Sequence, residues 1–169
     1  MYFYDVLVHT PMVPFGVVFL KATAGVMITA SHNPAQDNGY KVYWSNGCQI
    51  IPPHDHNIAQ KIAANLDPQS WDPDLVDAPD ANAVRPLERV QEAYFDALRG
   101  STVVGDSIGA GSLGFVYTPM HGVGLPFMEQ ALSNLGLKDH MVVVSEQVGM
   151  ASLSGGLDYT KLPYTTGAT

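Results

Sequence analysis

Basic residues are scarce in this 169-residue chain: eight Lys and Arg stand against sixteen Asp and Glu, for a formal net charge of -8. Nucleic acids and anionic membrane surfaces both demand a basic footprint, so neither is expected as the main partner. A small anionic ligand remains compatible, because backbone amides, a lysine or a metal can oppose the global sign locally. Cysteine is nearly absent. Cys48 stands alone, which excludes an intramolecular disulfide and suggests a reducing compartment, with Cys48 as a buried bystander. Long apolar runs are missing too, and no stretch approaches the roughly 20 residues that span a bilayer. The opening Met-Tyr-Phe-Tyr-Asp has no basic segment before an apolar run, so no signal peptide is expected and the cytoplasm is the default location. What is present suits a globular fold: 46% hydrophobic and 14% charged residues, in a length that fits one domain or parts of two.

Periodicity divides the chain into elements. Thr10 and Pro11 read as the N-cap and first position of a helix carrying Val13, Val17 and Leu20, with Gly25 as its stop. Ala24 to Thr29 reads as a short buried strand, followed by a polar loop from Ser31 to Gly39. Tyr40 to Ser45 alternates large and polar groups. Asn46-Gly47 then reads as a two-residue hairpin turn, with Cys48 to Ile51 returning. A second helix is expected near Asp55, with Ile58, Ile62 and Leu66 on one face. Residues 67–85 hold Pro68, Pro73, Pro79 and many turn-forming Asp and Asn residues, the best boundary in the chain.

Pro86 opens an amphipathic helix with Leu87, Val90, Tyr94, Ala97 and Leu98 on one face, ended by Gly100. Residues 100–114 read as a Gly- and Ser-rich loop. Strand 114–118, a turn over Pro119 to Gly124, helix 126–135 closed by Gly136 and strand 141–145 then form one βαβ unit, whose home is a parallel sheet covered by helices. Val148 to Thr169 has no clear period. The expected fold class is α/β, a three-layer α/β/α arrangement, with no internal repeat.

The chemistry concentrates in Ile28-Thr29-Ala30-Ser31-His32-Asn33-Pro34. A strand ends abruptly, a hydroxyl nucleophile follows, and a turn-forming Asn-Pro comes next, so Ser31 projects from a sheet edge where α/β folds bind ligands. The turn at Asp37-Asn38-Gly39 can fold Lys41 back toward Ser31. Ser31, His32 and Lys41 could then serve as nucleophile, positioning donor and general base. Residue types alone leave an ordinary surface loop open as well. A Ser-His-Asp hydrolase is disfavoured, because the G-x-S-x-G elbow is absent: Thr29 and Ala30 precede Ser31, and Asn33 occupies the place of the second glycine.

Thr29-Ala30-Ser31-His32-Asn33-Pro34 followed by Asn38-Gly39-Tyr40-Lys41 resembles the signature of the α-D-phosphohexomutases. The run from Gly25 to Asp55, including Gly47-Cys48-Gln49-Ile50 and Pro53-His54-Asp55, is similar to the second phosphoglucomutase branch of eukaryotes, whose members also act on pentose phosphates. The likeness spans roughly residues 4–147 and returns at His121-Gly122-Val123-Gly124. It implies that Ser31 is carried as phosphoserine, gives its phosphoryl group to a sugar monophosphate and recovers the other phosphate from the resulting bisphosphate. Glucose 1-phosphate, glucose 1,6-bisphosphate and ribose 1-phosphate are the implied partners. Mg2+ is the implied cofactor, bound at Ser31 through its phosphate. Lys41 is the implied proton shuttle and electrostatic stabiliser, and His32 orients phosphate or substrate.

The same resemblance defines what is not here. Family members have four domains and a metal loop of the form D-x-D-x-D-R. Asp72-Pro73-Asp74 with Asp77 has the wrong spacing, lacks the arginine and reads as a solvated acidic turn. His54 and His56 read as an exposed helix start, Tyr43 and Trp44 as packing across the hairpin, and His121 to Gly124 as a strand-to-helix turn able to offer amides to an anion. The expected organisation is residues 1–67 as the later part of a first domain, 68–85 as linker, 86–147 as the opening of a second, and 148–169 as an unassigned tail. Both ends look cut. The alternative expectation is a truncated, inactive product or a phosphate-binding module without mutase activity.

Overall fold

A computed structural model of the chain describes residues 1–31, 33–34, 36–78, 82–101 and 114–148. The Gly- and Ser-rich stretch read as a loop lies mostly outside these residues, as does the tail beyond Val148. The elements in chain order are α1 (Met12–Phe19), β1 (Ala24–Ile28), β2 (Tyr40–Trp44), α2 (His54–Ala63), α3 (Leu87–Ser101), β3 (Phe115–Tyr117), α4 (Leu125–Asn134) and β4 (Met141–Val143). Short 3-10 turns cover Pro73–Val76, Lys138–His140 and Ser145–Gln147.

Two sheets carry the strands. β1 and β2 pair antiparallel with Val26 opposite Val42 and Met27 opposite Lys41. β3 and β4 pair parallel with Val116 opposite Val142, and α4 makes the crossover between them. The predicted βαβ unit is therefore present, as parallel strands joined by a crossover require.

Packing begins where α1 crosses α3. Met12 and Val90 are fully buried and Val8 nearly so, with Tyr4, Met27, Leu87, Tyr94 and Phe127 closing around them. This core joins the N-terminal segment, α1, β1, α3 and α4, so the two sides of the expected boundary share apolar contacts. The boundary region is itself tied down. Val84 forms a parallel bridge with Tyr2, Phe3 N–H donates to Val84 O at 2.9 Å, and the Met1 amino group donates to Asn82 O at 2.8 Å. Arg85 pairs with Asp5 at 3.3 Å and also with Asp77, and its guanidinium lies 5.6 Å from the Phe3 ring centre. Half-exposed ion pairs of this kind contribute about 0–1 kcal/mol each, so the strand-like hydrogen bonds and apolar contacts hold the segment more than the charges do.

Several sequence expectations are corrected. α1 has Pro11, not Thr10, at its N-cap and receives no side-chain cap bond. Its stop is Lys21, not Gly25: Lys21 takes φ +52, and the N–H groups of Lys21 and Ala22 return to the Val18 and Val17 carbonyls. That two-bond closure satisfies the orphan carbonyls without a glycine. β1 is not buried on both faces. Val26 is 55% and Ile28 76% exposed, because α1 covers the face carrying Gly25 and Met27 while the opposite face stays open. The hairpin loop is longer than two residues: Trp44 N–H donates to Cys48 O and Gly47 N–H returns to Trp44 O. Ser45, Asn46 and Gly47 form the loop, and only Gly47 adopts positive φ, at +73. A left-handed third residue is what a three-residue hairpin loop needs, and glycine meets it at no steric cost. Leu66 falls beyond α2, which buries none of its residues. Cys48 is exposed, since it sits on the returning arm with its N–H bound to Asn46 Oδ1.

His9 went unnoticed in the sequence. Its ring lies 4.0 Å from Phe127, edge-on, and 5.2 Å from Tyr94, and buried Nδ1 has no hydrogen-bond partner among the described residues. Burial pushes the imidazole down to about 4. A neutral ring suits this slot, because charging it would require desolvating a cation between aromatic rings. The sign follows from linkage: between pH about 6.5 and 4 the unfolded chain takes up a proton that the folded chain refuses, so stability falls as pH falls through that window. We expect the melting temperature to drop by a few °C between about pH 7.5 and pH 5, and His9→Phe to shrink that drop, as read by thermal denaturation at both pH values.

Candidate active site

The loop from Thr29 to Gly39 closes on itself at a narrow neck. Thr29 N–H, one residue beyond β1, donates to Gly39 O at 2.9 Å, and Gly39 is one residue before β2. The neck continues the ladder that pairs Ile28 with Tyr40. Gly39 is required there by space: a Cβ would lie 2.7 Å from Thr29 O and 3.4 Å from Ala30 Cα. Inside the loop, Asn33 N–H donates to Ala30 O at 3.2 Å and Asp37 N–H to Pro34 O at 2.9 Å, so two tight turns shape its course.

Ser31 stands at the exposed shoulder of this loop with φ +60. Left-handed backbone costs a non-glycine residue about 1–2 kcal/mol, and it persists only where neighbours enforce it. The enforcing contact is visible. Ser31 N–H donates to Thr29 Oγ1 at 3.0 Å, a bond worth about 0.5–1.5 kcal/mol and so of the same size as the strain. Lys41 lies opposite Met27 in the register, on the α1 side of the sheet and partly buried. Two residue rises separate it from the neck at Gly39, about 7 Å along the strand. The hairpin thus brings Ser31 and Lys41 to the same end of one antiparallel pair. His32 lies outside the described residues.

The other candidates have structural partners. Asp72 caps the 3-10 turn by accepting from Asp74 N–H at 3.0 Å, and Asp77 is engaged by Arg85. These carboxylates are not gathered for a cation, and no group of three His, Cys, Asp or Glu suited to a metal occurs among the described residues. The Mg2+ implied by the resemblance does not fit the described residues on their own. His54 packs on Trp44 with ring centres 5.1 Å apart, and the side-chain amide of Gln60 lies 2.9 Å from His56 Nε2. Tyr43 is buried on the α1 side, whereas Trp44 lies on the open face. His121 takes φ +61 in the turn after β3, and its N–H donates to Gln147 O at 2.7 Å, which binds that amide internally. Two surface recesses, one beside Arg85 and Glu88 and one beside Trp44 and Lys61, lie away from the Ser31 loop. No helix among the described residues is long and apolar enough to cross a membrane.

Comparison with known proteins gives the loop its setting. Residues 1–69 match the phosphoglucomutase/phosphomannomutase alpha/beta/alpha domain I. The chain is 52% identical over 150 residues to a Schizosaccharomyces pombe protein assigned as a phosphoribomutase, covering 86% of this chain and 25% of that protein. It is 44% identical over 138 residues to the human phosphopentomutase, covering 80% of this chain and 22% of the relative. In structure it resembles a Thermus thermophilus protein assigned as a phosphomannomutase, with a TM-score of 0.59 and 26% identity over 86% of this chain and 30% of that one. Residues 1–69 thus resemble the first domain of the phosphoglucomutase/phosphomannomutase proteins, and the chain shares their α/β/α fold class. It spans about a quarter of the length of the curated relatives it matches.

The neck gives a direct test of the loop's construction. Gly39→Ala places a methyl group against backbone, not against the free end of a side chain, so the neck must open. We expect a loss of about 1–3 kcal/mol in denaturant unfolding, with faster amide exchange at Thr29.

Proposed function

We propose that this chain carries the phosphoryl-transfer serine of a sugar-phosphate mutase and that Ser31 is the residue phosphorylated. The observation that supports this most is the presentation of Ser31: an exposed hydroxyl, held in left-handed backbone just past a closed strand neck, within the segment matched by the family's first domain. Relatives named phosphoribomutase, phosphopentomutase and glucose 1,6-bisphosphate synthase favour sugar phosphates as substrates. Sugar 1-phosphate and sugar 6-phosphate, or 5-phosphate for a pentose, would be interconverted. The pentose-directed names among the relatives make ribose 1-phosphate a reasonable substrate beside glucose 1-phosphate. The division into residues 1–67, 68–85 and 86–147 belongs to the same proposal, as does a cytoplasmic location.

In this reading phosphoserine 31 meets a free hydroxyl of a sugar monophosphate. The bond from Ser31 Oγ to phosphorus breaks and a sugar oxygen–phosphorus bond forms. The sugar hydroxyl gives up its proton, and the serine oxygen gains one. The bisphosphate then returns its other phosphoryl group to Ser31 by the reverse exchange, so the protein ends as it began. Lys41, near the neck, is suited to steady charge on the transferring oxygens and to relay the proton. His32 is proposed to orient the phosphate. Magnesium is the cofactor this family reading calls for, with the Ser31 phosphate as a ligand. The described residues do not complete its site, so no step here is derived through it.

The test uses the full chain at the length its cells produce. Phosphopeptide mass spectrometry should find phosphate on the peptide holding Ser31, and Ser31→Ala should lower the rate on ribose 1-phosphate or glucose 1-phosphate by more than about 10⁴-fold. Undiminished turnover in Ser31→Ala would sink the reading. Saturable binding of a hexose phosphate with no turnover in the unaltered protein would favour a phosphate-binding module instead.

A further inference from the structure

We propose that Thr29 is a positioning residue for Ser31, and that its hydroxyl fixes the direction in which the serine oxygen points. The inference rests on the reading of Ser31 as phosphoryl carrier and adds a residue that acts on it through the backbone. Thr29 is anchored from two sides. Its N–H is committed to Gly39 O across the neck, and its carbonyl abuts Gly39 so closely that no side chain fits between them. With its backbone fixed, a β-branched residue has few side-chain rotamers available. One of them places Oγ1 3.0 Å from Ser31 N, two residues on.

Ser31 needs that contact, because its φ of +60 is strained for any residue with a Cβ. The hydrogen bond and the strain are of like size, so losing the first frees the second. Relaxing φ out of the left-handed region swings the Cα–Cβ bond, and Oγ with it, away from its present direction. Small misplacements of a reacting atom are expensive in rate. The Thr29 hydroxyl is engaged by the Ser31 amide, so its removal is expected to act on the placement of the serine more than on substrate affinity. The signature of this role is therefore a fall in kcat at nearly constant KM.

The experiment compares Thr29→Val, Thr29→Ser and Ser31→Ala in the full chain, following turnover and site-resolved amide exchange. Thr29→Val keeps the shape and removes the hydroxyl. It should lower kcat roughly ten- to a hundredfold with KM little changed, and should speed exchange at the Ser31 amide. Thr29→Ser should restore most of the rate and the slow exchange. If Thr29→Val left kcat and the Ser31 amide as they were, the inference would be overturned. A fall in kcat without any change at the Ser31 amide would overturn it as well, because the effect would then not pass through the tether. Were Ser31→Ala to retain activity, the reading of Ser31 as carrier would fall and the catalytic role of Thr29 with it, while the amide measurement would still decide whether the tether exists.

Discussion

The register of one antiparallel strand pair governs the candidate site. Setting Met27 opposite Lys41 and closing the loop with Thr29 N–H on Gly39 O fixes both ends of the Ser31 loop at once. A slip by one residue would turn Lys41 and Tyr43 to the open face and move Gly39 off the position where a Cβ would meet the Thr29 carbonyl. α1 depends on the same register, because it packs on the face that carries Gly25 and Met27. The loop is short and polar, and it borrows its rigidity from these two strands.

The core explains why that hairpin stays in place. Met12 and Val90 meet with almost no exposure, and the residues around them come from the N-terminal segment, two helices, β1 and α4. Such a core is small, and much apolar surface remains outside it, including Val26, Ile28 and Tyr40 on the open sheet face. The hairpin is therefore held mainly by its own ladder and by α1. A two-stranded ribbon is marginal alone, so the helix covering one face is what makes this one persist.

Much of this was legible in the residues. The alternation in Tyr40 to Trp44 and the parallel βαβ pattern each carry a local physical signal, and each matches an observed element, while Asn46-Gly47 marks a turn whose loop is one residue longer than the dipeptide signals. The segment Thr29 to Lys41 was legible as a strand, a loop and a return. What stayed hidden depends on contacts far apart in the chain. The bridge from Tyr2 to Val84 joins the first residues of the chain to a stretch read as linker. His9 looks like any polar residue before a helix, and only the arrival of Phe127 and Tyr94 makes it an interior group. The stop at Lys21 was missed for another reason: a left-handed closure usually recruits glycine, and here the chain accepts the strain on a lysine. The Thr29 hydroxyl contact was hidden because a threonine at a strand end reads as β-propensity until the backbone after it turns.

Strain at Ser31 and openness around it have one explanation under the proposed reaction. A serine that gives a phosphoryl group to one end of a sugar and takes another from the opposite end must present the same oxygen to two substrate orientations. Its position has to be fixed, or the phosphoryl group would miss the acceptor. Its surroundings have to be open, or the sugar could not turn. A buried serine would meet the first need and fail the second, while a serine at a free loop tip would do the reverse. Ser31 is tethered through its own N–H while its side chain, with those of Asn33, Pro34 and Asn38, stays exposed. Positioning through the backbone amide leaves the hydroxyl unencumbered, which a hydrogen bond to Oγ itself would not do.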